Sequence, residues 1–232
     1  LLEPEKQLQS GILEEYHDKY FDDFYGHPDK IDIFKKKVGE FKRRNPGKDI
    51  KTDFDKIEES YEKIALYKDN LPNAKKHGIN LLLYGPNGTG KSMLGISVLK
   101  KAIKDGYTAQ FTSLSGIISL YSGGWYEEKK QRQYNKRVRD VDFLMIDDIG
   151  KEYKAKSNDL TEVIFDNLIR YRSFRRKPII MTTNIPVEKI ESTYGQSIVS
   201  LLSGKTHQVE LDGSDFRKLV QSKQVTRKLR EG

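Results

Sequence analysis

The sequence contains no cysteine. That excludes disulfides, thiol nucleophiles and cysteine-ligated metal sites, and it accords with a reducing, cytoplasmic setting. The four histidines, His17, His27, His77 and His207, are scattered without metal-ligand spacing. No apolar run approaches the roughly 18–20 residues needed to cross a bilayer, so no membrane association is expected. The chain opens Leu-Leu-Glu-Pro, with neither a basic segment nor an apolar stretch of the secretory kind, and without an initiator Met, as in a trimmed chain. Acidic residues are the scarcer charge: 34 Asp and Glu stand against 42 Lys and Arg, a formal charge of +8. Two readings of that excess stand together, a highly charged soluble surface and a polyanionic partner.

The 232 residues suit one α/β domain with an N-terminal appendage. Residues 1–74 are polar and carry apolar residues at helical spacing in three pieces: Ile12, Leu13, Tyr16 and Tyr20; then Ile31, Phe34, Val38 and Phe41; and, beyond Asn45-Pro46-Gly47, Ile57, Tyr61, Ile64 and Leu66. This predicts a solvated helical N-terminal extension or, alternatively, a partner-docking arm. From residue 75 to 220 the pattern changes. Short apolar runs at 79–84, 108–112, 141–146, 178–183 and 208–211 alternate with helical patterns at 91–104, 115–121, 160–171 and 198–202. Runs this apolar belong in strands covered on both faces. The alternation predicts an α/β fold with a parallel five-stranded sheet flanked by helices. Residues 221–232 form a basic tail.

Three motifs fall at strand ends. Gly85-Pro86-Asn87-Gly88-Thr89-Gly90-Lys91-Ser92 matches G-x-x-x-x-G-K-[ST] in full, between a predicted strand and a predicted helix. Its glycines let backbone N–H groups turn in around phosphates at a helix N-terminus, which also includes Met93. Lys91 can reach the β- and γ-phosphates of ATP, and the Ser92 hydroxyl can ligate Mg²⁺. Asp147 and Asp148 end the third predicted strand, facing the crevice where ligands of such sheets bind. Asp147 is a Mg²⁺ ligand candidate and Asp148 a candidate for orienting or deprotonating the attacking water. Thr182-Thr183-Asn184 ends the next strand, where a polar side chain can reach the γ-phosphate or that water.

Together these segments resemble the DnaC/DnaI family of bacterial and phage helicase loaders and its relative, the transposition helper IstB. The resemblance covers roughly residues 75–220. It rests on Asp142 to Glu152, on Asn167 to Asn184, on Tyr194-Gly195-Gln-Ser-Ile-Val and on the closing Gly213-Ser-Asp-Phe-Arg217. It implies an AAA+ ATPase core that binds ATP/ADP and Mg²⁺, with Asn184 as a sensor-1 residue and Arg217 as a sensor-2-like residue. It further implies self-association into an ATP-dependent ring or spiral and an N-terminal region docked on the hexameric replicative helicase. Two departures point to slow hydrolysis. Asp148 stands where Glu is usual in AAA+ proteins. The stretch Ser197–Leu202 holds no arginine where the family carries a trans-acting finger, leaving Arg170, Arg172, Arg175 and Arg176 as substitutes or as an ordinary solvated helix end.

Residues 121–139 interleave aromatic and basic side chains. Tyr121, Trp125 and Tyr126, with Lys129, Lys130 and Arg132, are candidates to contact single-stranded DNA by stacking and phosphate neutralisation. The competing reading is a charged helix whose aromatics pack on the core. The functional expectation is an ATP-dependent helicase loader acting in replication initiation. Its rivals are an IstB-like helper acting on duplex DNA with a transposase, and a weakly hydrolysing ATP-binding scaffold or inhibitor of replication.

Overall fold

The computed structural model describes residues 2–47, 52–150, 158–187, 189–190, 204–213 and 215–216. The predicted late helix at 198–202, the basic tail and Arg217 lie outside the described residues. Helices α1 (Pro4–Gln9), α2 (Pro28–Arg44), α3 (Phe54–Asp69) and α4 (Leu71–His77) lead into strand β1 (Asn80–Tyr84) and helix α5 (Lys91–Lys104). Strand β2 (Ala109–Ser113) is followed by α6 (Leu114–Gly123) and α7 (Glu128–Tyr134), then a wide helical turn at Asn135–Arg139. Strand β3 (Phe143–Ile149), helix α8 (Asn158–Phe174) and strands β4 (Ile179–Thr183) and β5 (Thr206–Glu210) complete the order.

The five strands form one sheet in the order β2-β3-β4-β1-β5, and every pair is parallel. Helices cover both faces, and two apolar clusters result. One lies between the sheet, α5 and the N-terminal helices; the other lies under α6 and α8. Strands sandwiched in this way have no solvated face, which explains why Leu81–Leu83 and Phe143–Ile146 are apolar without alternation. Helix starts are capped where the sequence supplies a short acceptor: the Asp53 carboxylate accepts from the Lys56 N–H at 3.2 Å, and the Ser113 hydroxyl from the Gly116 N–H at 3.2 Å.

The N-terminal residues are not a solvated extension, and that expectation is corrected. Ile12, Phe24, Phe34, Ile57 and Ile64 are buried in the same cluster as Leu81, Leu94 and Val98 of the α/β core. Each such side chain contributes roughly 1.5–3 kcal/mol of apolar burial. The short apolar pieces were too weak to form a core alone, but they complete one that the sheet begins. In α3 the inward residue is Tyr67, whereas Leu66 is 61% exposed. The Tyr67 hydroxyl donates to the Ile79 carbonyl at 2.7 Å, so its polar tip is satisfied inside.

Polar bonds reinforce this attachment. Ser10 lies against the edge strand β2, its carbonyl accepting from the Phe111 N–H at 2.8 Å and from the Gln110 amide at 3.0 Å. The Ser60 hydroxyl donates to the Glu210 carbonyl at 2.7 Å. Lys100, buried on α5, donates to the carbonyls of Tyr16 (2.5 Å), His17 (3.0 Å) and Lys19 (2.8 Å). Burial pushes this ammonium down to about 8, opposed by Asp18 and Asp23. Replacing Lys100 with Met is expected to strand three carbonyls and cost about 2–4 kcal/mol. A denaturant titration would show a lower midpoint, and an unchanged midpoint would count against the clasp.

Candidate nucleotide site

The loop between β1 and α5 has the backbone that its glycines allow. Gly85, Gly88 and Gly90 have φ of 134°, 79° and 92°, left-handed values that side chains with a Cβ avoid. A Cβ at Gly88 would collide with the Asp215 carboxylate, and one at Gly90 would sit 2.7 Å from the Phe24 ring. The loop therefore has no room for larger residues. Lys91 opens α5 and is 7% exposed, with its ammonium donating to the carbonyls of Gly85 (2.8 Å) and Pro86 (2.6 Å). The lysine thus sits inside the loop, against the backbone that would surround a phosphate chain. Thr89 is fully buried, and its hydroxyl donates to the Pro86 carbonyl at 3.0 Å. Pro86 and Asn87 are exposed on the outer curve; Ser92 and Met93 are half-buried in the first turn of α5. The Met93 side chain packs on the apolar cluster, leaving its backbone as the part available to a ligand.

The carboxylates come from an irregularity in the sheet. Strands β3 and β4 pair Leu144 with Ile179, Met145 with Ile180 and Ile146 with Met181; pairing resumes at Ile149 with Thr183. Asp147 and Asp148 therefore face the single residue Thr182, a β-bulge that re-aims both acidic side chains. The buried Thr182 hydroxyl closes it. It accepts from the Asp148 N–H at 2.8 Å and donates to an Asp147 carboxylate oxygen at 2.6 Å. The Asn184 amide donates to the Asp148 carboxylate at 2.7 Å, and the Thr183 hydroxyl donates to the Ile149 carbonyl at 2.8 Å. Asp148 has φ 62°. Asp tolerates this left-handed conformation better than most residues with a Cβ, which gives a backbone reason for Asp here where Glu is the commoner residue. The sequence marked Asp147, Asp148 and Asn184 individually. Thr182 was marked only as part of the strand-end Thr182-Thr183-Asn184; its coupling of the two carboxylates was not foreseen, because a bulge leaves no periodic signal.

The N-terminal and closing segments meet at the same loop. The hydroxyl of the half-buried Tyr25 donates to the Thr89 carbonyl at 2.5 Å, and desolvation raises this phenol well above its ordinary range. The Phe216 N–H donates to the Gly88 carbonyl at 3.2 Å. The Phe216 ring packs 4.7 Å from Tyr25 and 5.0 Å from Phe34. Aromatic spacing alone did not distinguish these contacts from ordinary helix packing.

Of the proposed arginine-finger substitutes, Arg172 is excluded. It is fully buried, bonded to five backbone carbonyls, and unable to reach a neighbouring molecule. Arg170 is paired with Asp166 at 2.6 Å. Within the 121–139 region, Tyr134 is a core residue and Tyr121 is half-buried against it, at 5.3 Å between ring centres. Trp125 and Tyr126 are 59% and 88% exposed. Lys129 is exposed, whereas Lys130 and Arg132 are paired with Glu127 (2.6 Å) and Glu128 (2.9 Å). Local carboxylates thus offset two of the three cations.

Glycines that admit a close ligand, a lysine and a serine at a helix start, and a tethered carboxylate on the adjacent strand fit a nucleoside triphosphate with its divalent cation. This fold and loop define an AAA+ P-loop protein. Comparison with known proteins refines the class: residues 73–224 match the family model described as IstB-like ATP binding protein. The chain belongs to that family. It is 22% identical over 124 residues to the uncharacterised protein YdaV of Escherichia coli, covering 53% of this chain and 49% of YdaV. It is 27% identical over 153 residues to an insertion-sequence ATP-binding protein of Mycobacterium tuberculosis, covering 60% of this chain and 56% of that protein. The chain therefore spans about half the length of the curated relatives it matches. Among solved structures, the DnaC helicase loader superposes with a TM-score of 0.64 at 19% identity, covering 86% of this chain and all of that one. That coverage exceeds residues 75–220 and so takes in N-terminal helices as well as the ATPase core. Among the described residues, no helix is long and apolar enough to cross a membrane.

Proposed function

We propose that this chain is an ATP-hydrolysing helicase loader, which holds single-stranded DNA and a hexameric replicative helicase together during replication initiation. The observation that carries the reading is the hairpin of α6 and α7, which follows β2 and presents Trp125 and Tyr126 to solvent at its tip. Exposed aromatic faces beside Lys129 suit unpaired bases and their phosphates. The likeness in fold to the DnaC helicase loader supports the same reading.

In this proposal Lys91 neutralises the β- and γ-phosphates of ATP. Ser92 and Asp147 would hold Mg²⁺, which when bound supplies further charge neutralisation at the phosphates. Thr182 fixes the Asp147 carboxylate, and Asp148, oriented by Asn184, receives the proton of the attacking water. Arg217 would act as the sensor-2 residue. Self-association would bring ATP between neighbouring subunits. With Asp148 on a short side chain and no arginine in Ser197–Leu202, hydrolysis is slow and serves as a release step.

Trp125 is the only tryptophan of the chain, so its fluorescence reports the hairpin directly. Oligothymidylate is expected to quench it in the ATP-bound protein, and Tyr126→Ala should weaken the titration severalfold. In parallel, the masses of mixtures with the source organism's replicative helicase, ATP and Mg²⁺ should show a stoichiometric complex. The exposed apolar residues Leu8 and Leu13 belong to its expected docking face, so Leu8→Asp with Leu13→Asp should dissolve it. The absence of both quenching and complex would overturn the loader reading. A second reading, a transposition helper acting on duplex DNA with a transposase, is favoured by the family match and the insertion-sequence relative.

A further inference from the structure

Two carbonyls of the nucleotide loop are held by segments distant from it in sequence. The Thr89 carbonyl accepts from the Tyr25 hydroxyl at 2.5 Å, and the Gly88 carbonyl accepts from the Phe216 N–H at 3.2 Å. Desolvation keeps the Tyr25 phenol protonated at neutral pH, so it is always able to donate. The peptide bonds following both carbonyls are trans. In a planar trans peptide the N–H of the next residue points opposite to the carbonyl. The Gly90 N–H therefore points away from Tyr25, and the Thr89 N–H away from Phe216.

What lies on each side of the loop decides what those N–H groups can meet. On the Tyr25 side the space is filled. The Tyr25 ring centre lies 4.1 Å from that of the fully buried Phe24, 4.4 Å from Phe34 and 4.7 Å from Phe216. A Cβ at Gly90 would already sit 2.7 Å from the Phe24 ring, so no phosphate can enter there. On the other side, among the described residues, neither the Thr89 nor the Gly90 N–H donates to a protein acceptor. Two unpartnered donors aimed away from the aromatic cluster, at the start of a 14-residue helix, suit an anionic phosphate chain.

The Tyr25 bond fixes the plane of one of these peptides. Among the described residues, no other donor reaches the Thr89 carbonyl. The next residue is Gly90, at φ 92° and with no side chain to restrain rotation. Release of the carbonyl would let the Thr89–Gly90 peptide turn and carry the Gly90 N–H off its direction.

We infer that Tyr25 is a positioning residue of the nucleotide site: its hydroxyl holds the Thr89 carbonyl from behind and so aims the Gly90 N–H at the phosphates. The inference rests on the reading of residues 85–92 as the ATP loop. It extends that site to a residue outside the 73–224 family match, and makes the N-terminal segment part of the nucleotide site as well as of the core.

The test is calorimetric titration of the full chain with ATP and Mg²⁺, comparing Tyr25→Phe with Tyr67→Phe. Both substitutions keep the ring, remove one hydroxyl and leave one carbonyl without its donor. Tyr67 donates to the Ile79 carbonyl at 2.7 Å, at the entry to β1 and away from the loop. Both variants should melt at a lower temperature than the unmodified chain. Tyr25→Phe alone should weaken ATP, by about five- to tenfold, as for a misdirected hydrogen bond to a charged group. In nitrogen–proton correlation spectra the Gly90 amide should shift on ATP binding in the unmodified chain, and shift less in Tyr25→Phe. Equal ATP affinity in Tyr25→Phe and the unmodified chain would overturn the role of Tyr25 while leaving the loop as the ATP site. A Gly90 amide that ATP does not move would do the same, whatever the stability of the variant. Equal weakening by Tyr67→Phe would reduce Tyr25 to a structural residue. No ATP binding by the unmodified chain would overturn the inference and the assignment of the loop together.

Discussion

Lys91→Ala is expected to abolish ATP binding while leaving the fold intact. The ammonium donates to the carbonyls of Gly85 and Pro86 within the loop, at the place where the phosphates would lie. A charge-assisted contact of this kind is worth more than a neutral hydrogen bond, and here it faces a highly charged ligand from a nearly buried position. Alanine has high helix propensity, so α5 keeps its first turn. Calorimetric titration with ATP and Mg²⁺ should therefore lose its signal, with circular dichroism unchanged. ATP-dependent self-association, followed by sedimentation, should disappear with it. Retained ATP affinity in a folded variant would refute the assignment of the loop. Asp147→Asn offers a useful contrast, because it keeps the bond to Thr182 possible and removes only the charge.

The second large effect is on stability. Among the described residues Arg172 is the largest fully buried side chain, and its guanidinium gathers five carbonyls. Nη1 donates to Val138 (2.9 Å), Arg139 (3.1 Å) and Val141 (3.1 Å), while Nη2 donates to Asp142 (3.3 Å) and Pro178 (2.8 Å). These carbonyls belong to the approaches to β3 and β4, so one side chain joins α8 to two strand entrances. Burial pushes the guanidinium down to about 9, opposed by Asp142 and Asp140, and it remains charged at neutral pH. Arg172→Leu has nearly the right bulk but leaves the carbonyls without donors in a dry interior. The expected loss is about 3–5 kcal/mol, a large share of the roughly 5–15 kcal/mol that holds a domain together. Arg172→Lys should rescue little, since an ammonium cannot reproduce the planar fork. Arg175→Ala, three residues along and exposed, serves as the control and should stay within about 0.5 kcal/mol of the unmodified chain. A midpoint shift for Arg172→Leu no larger than the control's would remove the clasp from the account.

How much of this was legible beforehand depended on the range of the interaction. The glycine-rich loop, its lysine and the following helix are local: one continuous stretch encodes the turn, the positive φ values and the helix start. The predicted helix at 91–104 coincides with α5. The central strands β1, β3 and β4 were equally readable, because strands covered on both faces become continuous apolar runs, whereas the edge strands β2 and β5 are polar and only partly buried. The N-terminal helices were located by their periodicity but misplaced in space. Periodicity shows that a face is apolar and leaves open what covers it; here the sheet does, through Phe24, Phe34 and Tyr61.

The four basic residues 170, 172, 175 and 176 make the same point from the other side. In the sequence they are a cluster of equivalent cations at a helix end. Folded, Arg172 is a buried structural clasp, Arg170 an ion-pair partner, Arg175 a cation over the Tyr171 ring at 4.8 Å, and Arg176 an exposed residue with a left-handed backbone, φ 52°. Their fates are set by helix phase and by segments 30 or more residues away. In the same manner Asp147 and Asp148 were visible as a pair, but the bulge that aims them and the Thr182 hydroxyl that ties them exist only once β3 lies beside β4. The amino-acid order by itself determined the nucleotide loop, the acidic strand end and the α/β alternation, because each loop, strand and helix involved is written in one short continuous stretch. The packing of the N-terminal helices, the coupling of the acidic pair through Thr182 and the burial of Arg172 were decided by tertiary structure alone, because each arises where chain segments distant in sequence are brought into contact.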